Sequence, residues 1–251
     1  MSYQGLDSKV IVVTGAAQGI GAAYVRRLVL EGCTVIAADR NLHGVEVLAA
    51  ELGDSVVPAA VDVSSAVSCA ELAAAAMERF GRVDGLINNA AIFSTIAMHP
   101  FWEIPEKEWD AIMAVNIKGP WLVTTALLEA LKASGRASIV NIGSDAVALG
   151  RTEYLHYIAS KGAVAAMTFS MSKELGGFGV RVNTLSPGPV YTEVSRETVT
   201  EAQREAMLAR QAVPRTAGPD DMTSLAAFLL SDDSGYISGQ TISVNGGLVH
   251  R

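Results

Sequence analysis

Two tyrosines and a lysine stand close together in "TEYLHYIASKGA", residues 152–163, among small and apolar neighbours. Side chains four apart on a helix stack on one face, which sets Tyr157 one turn from Lys161. Tyr154, seven before the lysine, faces roughly the same way, so spacing alone leaves both phenols open. The chemistry such a group offers is proton transfer. A free phenol ionises near pH 10, and lowering that by about three units takes roughly 4 kcal/mol of preference for the phenolate. An ammonium one turn away favours the phenolate. The structural reading of the same pair is a buried tyrosine beside a lysine reaching for solvent.

A second constellation suits an anionic ligand. "TGAAQGIG", residues 14–21, follows a β-branched run and opens a helical stripe through Ala22, Val25 and Leu28. Gly15, Gly19 and Gly21 let the chain turn tightly and let a ligand approach the backbone, while helix N-terminal amides point at a pyrophosphate. The spacing is not GxGxxG, and glycines in such a turn are also common structural devices. Asp39, about 20 residues further on, could accept hydrogen bonds from ribose hydroxyls and would repel a 2′-phosphate. Arg40 could meet that phosphate, but the glycine turn itself carries Gln18 and no base. The balance predicts NAD in preference to NADP. The structural reading of Asp39 is a helix cap.

These residues need elements to position them. Short apolar runs ("KVIVVTG", "TVIAAD", "VVPAAVDV", "GLINNA", "ASIVNIGS", "VRVNTLSPG", "QTISVNGG") alternate with Ala-rich helical stretches. That rhythm predicts an α/β fold: one domain over 1–251, a doubly wound, mostly parallel sheet of about seven strands with helices on both faces. Ligands in such folds bind beyond the carboxyl ends of the strands. The runs end near Thr14 and Gly15, Asp39, Asp62, Asn89, Ser144, and Pro187 with Gly188, a rim of polar or turn-forming residues. Ser144 could hydrogen-bond a developing oxyanion, although a serine there is ordinarily a turn residue. Asn116 shares a predicted helical face with Trp109, Ile112 and Met113, so its amide must find partners on an apolar stripe.

Half of the 251 residues are apolar, enough for a substantial core, and the net charge is −7. That charge argues against nucleic acid or an anionic membrane as partner and for a small molecule. No run approaches the length of a membrane span, the start "MSYQGLDSK" is polar, and Cys33 and Cys69 give neither a disulfide framework nor metal spacing. We therefore expect a cytoplasmic protein. The four histidines are scattered, with no metal site expected. Trp102, Trp109 and Trp121 fall on or near one long predicted helix and read as core or subunit contact.

Taken together, "TGAAQGIG", the acidic end of the second strand, "VDV" at 61–63, "NNAA" at 88–91, Asn116 in "VNIKG", Ser144, "YIASK" at 157–161 and "SPGPVYT" at 186–192 resemble the short-chain dehydrogenase/reductase family over residues 9 to 247. The resemblance implies a Rossmann-type fold, usually tetrameric, moving a hydride between NAD(P) and an alcohol or carbonyl. It assigns the Tyr-x-x-x-Lys pair to Tyr157 and Lys161, with Ser144 on the substrate oxygen and Asn116 in a water relay from Lys161. It gives cofactor contacts to Gly15, Gln18, Gly19, Ile20 and Gly21 in the turn and to Asp39 and Arg40 after the second strand. Asp62 and Val63, Asn89, Ala90 and Ala91 would follow along the cleft. Tyr157 and Lys161 would meet the nicotinamide ribose, and Pro187, Gly188, Val190 and Thr192 its carboxamide end. Two departures stand out: Ala91 where a glycine is usual, and "VNGG" near the C-terminus in place of an Asp-containing version.

Phe93, Ala146, Val147, Tyr154, Tyr191 and Met207 are the expected walls of a substrate pocket, with a lid over about 190–214. Their apolar and aromatic character predicts a hydrophobic or aryl-bearing substrate. The reading is an NAD-dependent secondary-alcohol dehydrogenase or ketone reductase, expected as a homotetramer. An NADPH-dependent 3-oxoacyl-thioester reductase is the alternative, and a non-catalytic nucleotide-binding sensor a second.

Overall fold

The computed structural model describes residues 3–194 and 200–250. In chain order the elements are β1 (Val10–Thr14), α1 (Gly19–Leu30), β2 (Thr34–Asp39), α2 (Leu42–Leu52), β3 (Val56–Ala60), α3 (Ala66–Phe80), β4 (Gly85–Asn88) and α4 (Glu106–Met113). There follow α5 (Gly119–Ala126), α6 (Leu128–Ser134), β5 (Ser138–Ile142), α7 (Ala146–Leu149), α8 (Leu155–Leu175), β6 (Arg181–Pro187), α9 (Glu201–Leu208), α10 (Asp220–Leu230) and β7 (Thr241–Val244). The seven strands form one sheet, every pair parallel, in the order β3-β2-β1-β4-β5-β6-β7. This is a Rossmann-type single domain, as the alternation of runs predicts.

The lack of polar alternation in the strands has a direct cause. Ile11 and Val13 of β1 pack into a core with Tyr24, Val25 and Leu28 of α1, Val45 and Leu48 of α2, and Met222 and Leu229 of α10. Val10 and Val12, pointing the other way, pack with Leu72 and Ala76 of α3, Val123 of α5, Leu131 of α6 and Leu175 of α8. Both faces of a parallel sheet are covered, so both phases of each strand must be apolar. Pro58 sits in β3, the edge strand, where its missing donor breaks no second ladder. Helix ends are marked in sequence as well: Asn41 and Ser65 cap α2 and α3, and Gly81 closes α3 in the left-handed region.

The chain winds outward from β1 through β2 to β3, then crosses to β4 on the other side of β1. The resulting switch point, between the carboxyl ends of β1 and β4, is where a crevice must open. Asn89 spans it, its amide donating to the Thr14 carbonyl (3.0 Å) and the Gly15 carbonyl (2.9 Å). Thr14 Oγ1 accepts from the Asn89 and Ala90 amides.

The long helix expected around the tryptophans is broken. α4 passes through a π-turn, Ala114–Lys118, into α5, so the face shared by Trp109 and Asn116 does not continue as an α-helical stripe. Trp102 lies in a short 3-10 turn before α4, and both Trp102 (71% exposed) and Trp121 (49%) are solvent-facing, which removes the core reading for these two. Among the described residues, no single helix is long and apolar enough to cross a membrane, and no group of acidic, His or Cys side chains could hold a metal ion.

A buried polar chain ties the sheet to its helices. Asn88 Nδ2 donates to Thr124 Oγ1 (3.2 Å) and Asn141 Oδ1 (2.9 Å), Asn141 Nδ2 donates to Thr168 Oγ1 (2.8 Å), and Thr168 Oγ1 meets Thr184 Oγ1 at 2.7 Å. Asn141→Ala leaves two buried groups without partners and is expected to destabilise the protein by about 2–4 kcal/mol. Urea unfolding followed by circular dichroism checks this; a loss below about 0.5 kcal/mol would show the chain to be decorative.

Candidate active site

A cavity of about 470 Å³ runs along the carboxyl ends of the strands, from Asp39 and Arg40 at one end to Tyr154 and Met207 at the other. Of the residues singled out in the sequence, all border it except Asn116 and Val147. α7 accounts for the second exception: Ala146 and Leu149, three apart on this short helix, border the cavity, and Val147 between them does not.

At the dinucleotide end, the glycine turn is shaped by steric need. Gly15 adopts φ +66°, and a Cβ on Gly21 would collide with the Gly15 carbonyl oxygen. The turn brings the first helical amides of α1 to the cavity. Gly19 N donates to Glu193 Oε1 at 2.7 Å, so a carboxylate rests on an amide at the start of the helix. Asp39 is not the cap of α2, a role taken by Asn41. Its Oδ2 accepts from Ala17 N (3.1 Å) and its Oδ1 from Asn41 N (2.9 Å), which fixes the carboxylate at the cleft edge with lone pairs to spare. Asp62 is held ionised by the hydroxyl and amide of Ser64, which pull its carboxyl below the usual range. Ala91, the departure from the usual glycine, has no positive φ, so an alanine fits there without strain.

This end fits a dinucleotide on physical grounds. A glycine cradle that a side chain would fill, an amide already holding an anionic group, and a carboxylate at the second strand end are the three requirements.

At the other end, α8 begins at Leu155, so Tyr154 stands at its N-terminal boundary and Tyr157 one turn inside. Phe93, Tyr154 and Tyr157 form an aromatic cluster, with ring centroids 4.7 Å apart for Phe93–Tyr157 and 6.3 Å for the edge-on Tyr154–Tyr157 pair. Lys161 is buried and donates to the Ile142 carbonyl at the end of β5 (2.7 Å), with Nζ 5.9 Å from the Tyr157 ring centroid. Burial brings the Lys161 ammonium down to about 8. Ser144 Oγ accepts from Ala146 N (3.2 Å), which leaves its hydrogen to be donated.

Asn116 is buried in the π-turn and away from the cavity wall. Its Oδ1 accepts from Ile92 N (2.8 Å), and its Nδ2 donates to the Ile92 carbonyl and to Ser160 Oγ (3.2 Å each). The side chain is therefore spent on local partners, the structural reading of a buried amide, and it braces the loop before α4 against α8.

Two features were not legible in the sequence. Asp145, directly after Ser144, is fully buried: its Oδ1 accepts from Ser186 Oγ (2.7 Å) and Ser243 Oγ (2.8 Å), and its Oδ2 from Asn245 Nδ2 (2.6 Å). It knits the ends of β5, β6 and β7 together, and Asn245, the second departure in "VNGG", is one of its donors. The only signal was an acid in an apolar stretch. Arg151 borders the cavity with its guanidinium 4.3 Å over the Tyr154 ring; it is the one cation between Ser144 and Tyr157, and that could have marked it.

Comparison with known proteins agrees with this architecture. The family model described as enoyl-(acyl carrier protein) reductase matches residues 15–249. A 3-oxoacyl-[acyl-carrier-protein] reductase of Thermotoga maritima is 35% identical, over 97% of this chain and 99% of its own. The D-threitol dehydrogenase of Mycolicibacterium smegmatis is 36% identical, over 96% and 93%. Among solved structures, a 3-ketoacyl-(acyl-carrier-protein) reductase from Brucella melitensis complexed with NADH superposes with a TM-score of 0.89 at 31% identity, covering 97% of this chain and 99% of that one.

The Lys161 shift makes a testable statement about stability. In the unfolded chain a lysine ionises near pH 10.4, so below pH 8 the native state bears the whole cost of holding an ammonium out of water, about 3 kcal/mol. Between about pH 8 and 10.4 the unfolded chain binds more protons than the native state, and stability gains with rising pH. Lys161→Met removes the titration. Its melting temperature relative to wild type is expected to be highest near pH 7 and to fall toward pH 10; a difference independent of pH would refute the burial of a charge here.

Proposed function

Because the chain belongs to the short-chain dehydrogenase/reductase family, we propose that it is an NAD-dependent oxidoreductase of secondary alcohols and ketones. The observation that carries this reading is convergence: Ser144, Tyr157 and Lys161 border the same cavity as the glycine turn and Asp39. A nicotinamide dinucleotide held there would supply the hydride donor or acceptor. Gly15, Gln18, Gly19, Ile20 and Gly21 would receive its pyrophosphate side, with Asp39 and Arg40 at the ribose and Asp62, Val63 and Asn89 to Ala91 along the cleft. Pro187, Gly188, Val190 and Thr192 would meet the carboxamide. The fixed carboxylate of Asp39 favours a free 2′-hydroxyl over a 2′-phosphate, because like charges at close range are costly.

In alcohol oxidation Tyr157 would take the hydroxyl proton while Ser144 donates to the same oxygen; in ketone reduction the proton would return from Tyr157. Lys161 would stabilise the phenolate. At separations near 6 Å and an effective dielectric near 20, an ammonium and a phenolate attract by roughly 3 kcal/mol, most of what the phenol needs. Asn116 would act by bracing α8 at Ser160. Residues 190–214, of which 195–199 lie outside the described residues, would form the lid, with Tyr191 and Met207 facing substrate. The aromatic cluster of Phe93, Tyr154 and Tyr157 supports a hydrophobic or aryl-bearing substrate.

The reading includes a homotetramer, supported by exposed aromatic surface at Trp121 on α5 and Phe169 on α8. It also includes a cytoplasmic location, which two buried free thiols suit. The second reading, an NADPH-dependent 3-oxoacyl-thioester reductase, is favoured by the name of the Thermotoga relative. Asp39 and the absence of a base in the glycine turn weigh against it.

Two measurements separate these readings. Turnover of a ketone panel is expected to favour NADH over NADPH by at least about a hundredfold in kcat/KM, and the reverse preference would hand the function to the second reading. Tyr157→Phe is expected to lose at least about a thousandfold in kcat while still binding NADH by fluorescence titration. If Tyr154→Phe were the crippling change instead, the proton-transfer assignment would be wrong; NADH binding without turnover of any substrate would indicate a sensor.

A further inference from the structure

Five charged residues border the cavity: Asp39, Arg40, Asp62, Lys161 and Arg151. The first three lie at the strand ends of β2 and β3, beside the glycine turn. Lys161 is bonded to the Ile142 carbonyl. Arg151 alone stands at the far end, among Leu149, Tyr154 and Met207. It is half-buried, its guanidinium stacked on the Tyr154 ring, and among the described residues its side chain forms no hydrogen bond and no ion pair. No acidic residue borders this end of the cavity.

A guanidinium laid flat on an aromatic ring is held in place with its N–H donors directed outward in the plane of the stack. That is a preorganised fork for an oxyanion. In the otherwise apolar end of a cavity, a cation whose donors are unspent calls for a partner of opposite charge. We infer that the substrate of this site carries a carboxylate, bound by Arg151, on an apolar body whose carbonyl or hydroxyl reaches Ser144 and Tyr157. The inference rests on the reading of the site as an oxidoreductase of alcohols and ketones, and it narrows the substrate to oxo acids and hydroxy acids.

The spacing limits which acids fit. Tyr154 stands between the two anchors, 6.3 Å from the Tyr157 ring centroid and 4.3 Å from the Arg151 guanidinium carbon. The carboxylate must therefore lie several bonds from the reacting carbon, as in 4-oxo acids, and not on its immediate neighbour. A neutral polyol would leave the guanidinium unpaired and should be a poor substrate.

The test compares 4-oxo-4-phenylbutanoate with its carboxamide, which has nearly the same shape and no charge, using NADH at pH 7 and the full-length protein. Wild type is expected to prefer the acid by about 10- to 100-fold in kcat/KM, the range of a charge-assisted pair, with most of the difference in KM. In Arg151→Met the acid-to-amide ratio should collapse to near one, and Arg151→Lys should restore part of it. Because each ratio is taken within one variant, partial misfolding lowers both rates and cancels. A wild-type ratio near one, or a ratio that survives Arg151→Met, overturns the inference. Turnover of neutral aryl ketones with neither acid nor amide accepted would also overturn it while leaving the oxidoreductase reading intact. Failure to turn over any ketone or alcohol with either coenzyme would remove both.

Discussion

A single ammonium held out of water organises the catalytic end of this molecule. Lys161 has one acceptor in its surroundings, the carbonyl of Ile142, which is where β5 stops and its ladder of backbone bonds runs out. That bond fixes the height at which α8 crosses the sheet. Once the height is set, Tyr157 one turn earlier must face the crevice, and Tyr154 must form its wall. The remaining contacts of α8 defend the same placement: Ser160 receives the Asn116 amide, and His156 Nε2 lies 2.8 Å from Glu108 Oε1 of α4. The cost of burying the charge is thus tied to the position of the phenol, as expected where function and stability pull in opposite directions.

Much of this was legible in the chain, for a reason that also marks the boundary of legibility. Seven strands could be read because burial on both faces makes each a short apolar run, and each run stops at a residue that turns or bonds the chain, such as Asp39 or Pro187. The glycine turn and the Tyr157–Lys161 pair were visible because their geometry is local. What escaped depends on partners far apart in sequence. The carboxylate of Asp145 takes its hydrogen bonds from residues 41 to 100 positions away, and nothing periodic announces such a meeting. The π-turn at Ala114–Lys118 inserts one extra residue into a helix that reads as continuous, and so it misplaced the faces of Asn116 and the tryptophans. Asn116 then looked like a chemical group when its bonds are those of a brace.

The relatives named above illustrate how little the shared frame says about substrate. A thioester reductase and a tetritol dehydrogenase, by their names, align over nearly the whole chain at similar identity. Sheet order, glycine turn and lysine height are common property of such a fold, whereas specificity resides in the few side chains around the far end of the cavity. Here those side chains are aromatic and apolar, with one guanidinium among them. The chemistry at Tyr157 is indifferent to what lies beyond the reacting carbon; the wall is not.

The carboxylate of Glu193 resting on Gly19 N has a consequence for the order of events. Any phosphate that settles at the start of α1 must displace it, because two anions cannot share one amide. Glu193 belongs to the stretch that follows Thr192, so eviction of that side chain and rearrangement of the adjoining polypeptide become one exchange. Coenzyme arrival would then precede and prepare the chamber for the second reactant, an ordered sequence written into the competition between a side chain and a pyrophosphate for a single hydrogen-bond donor.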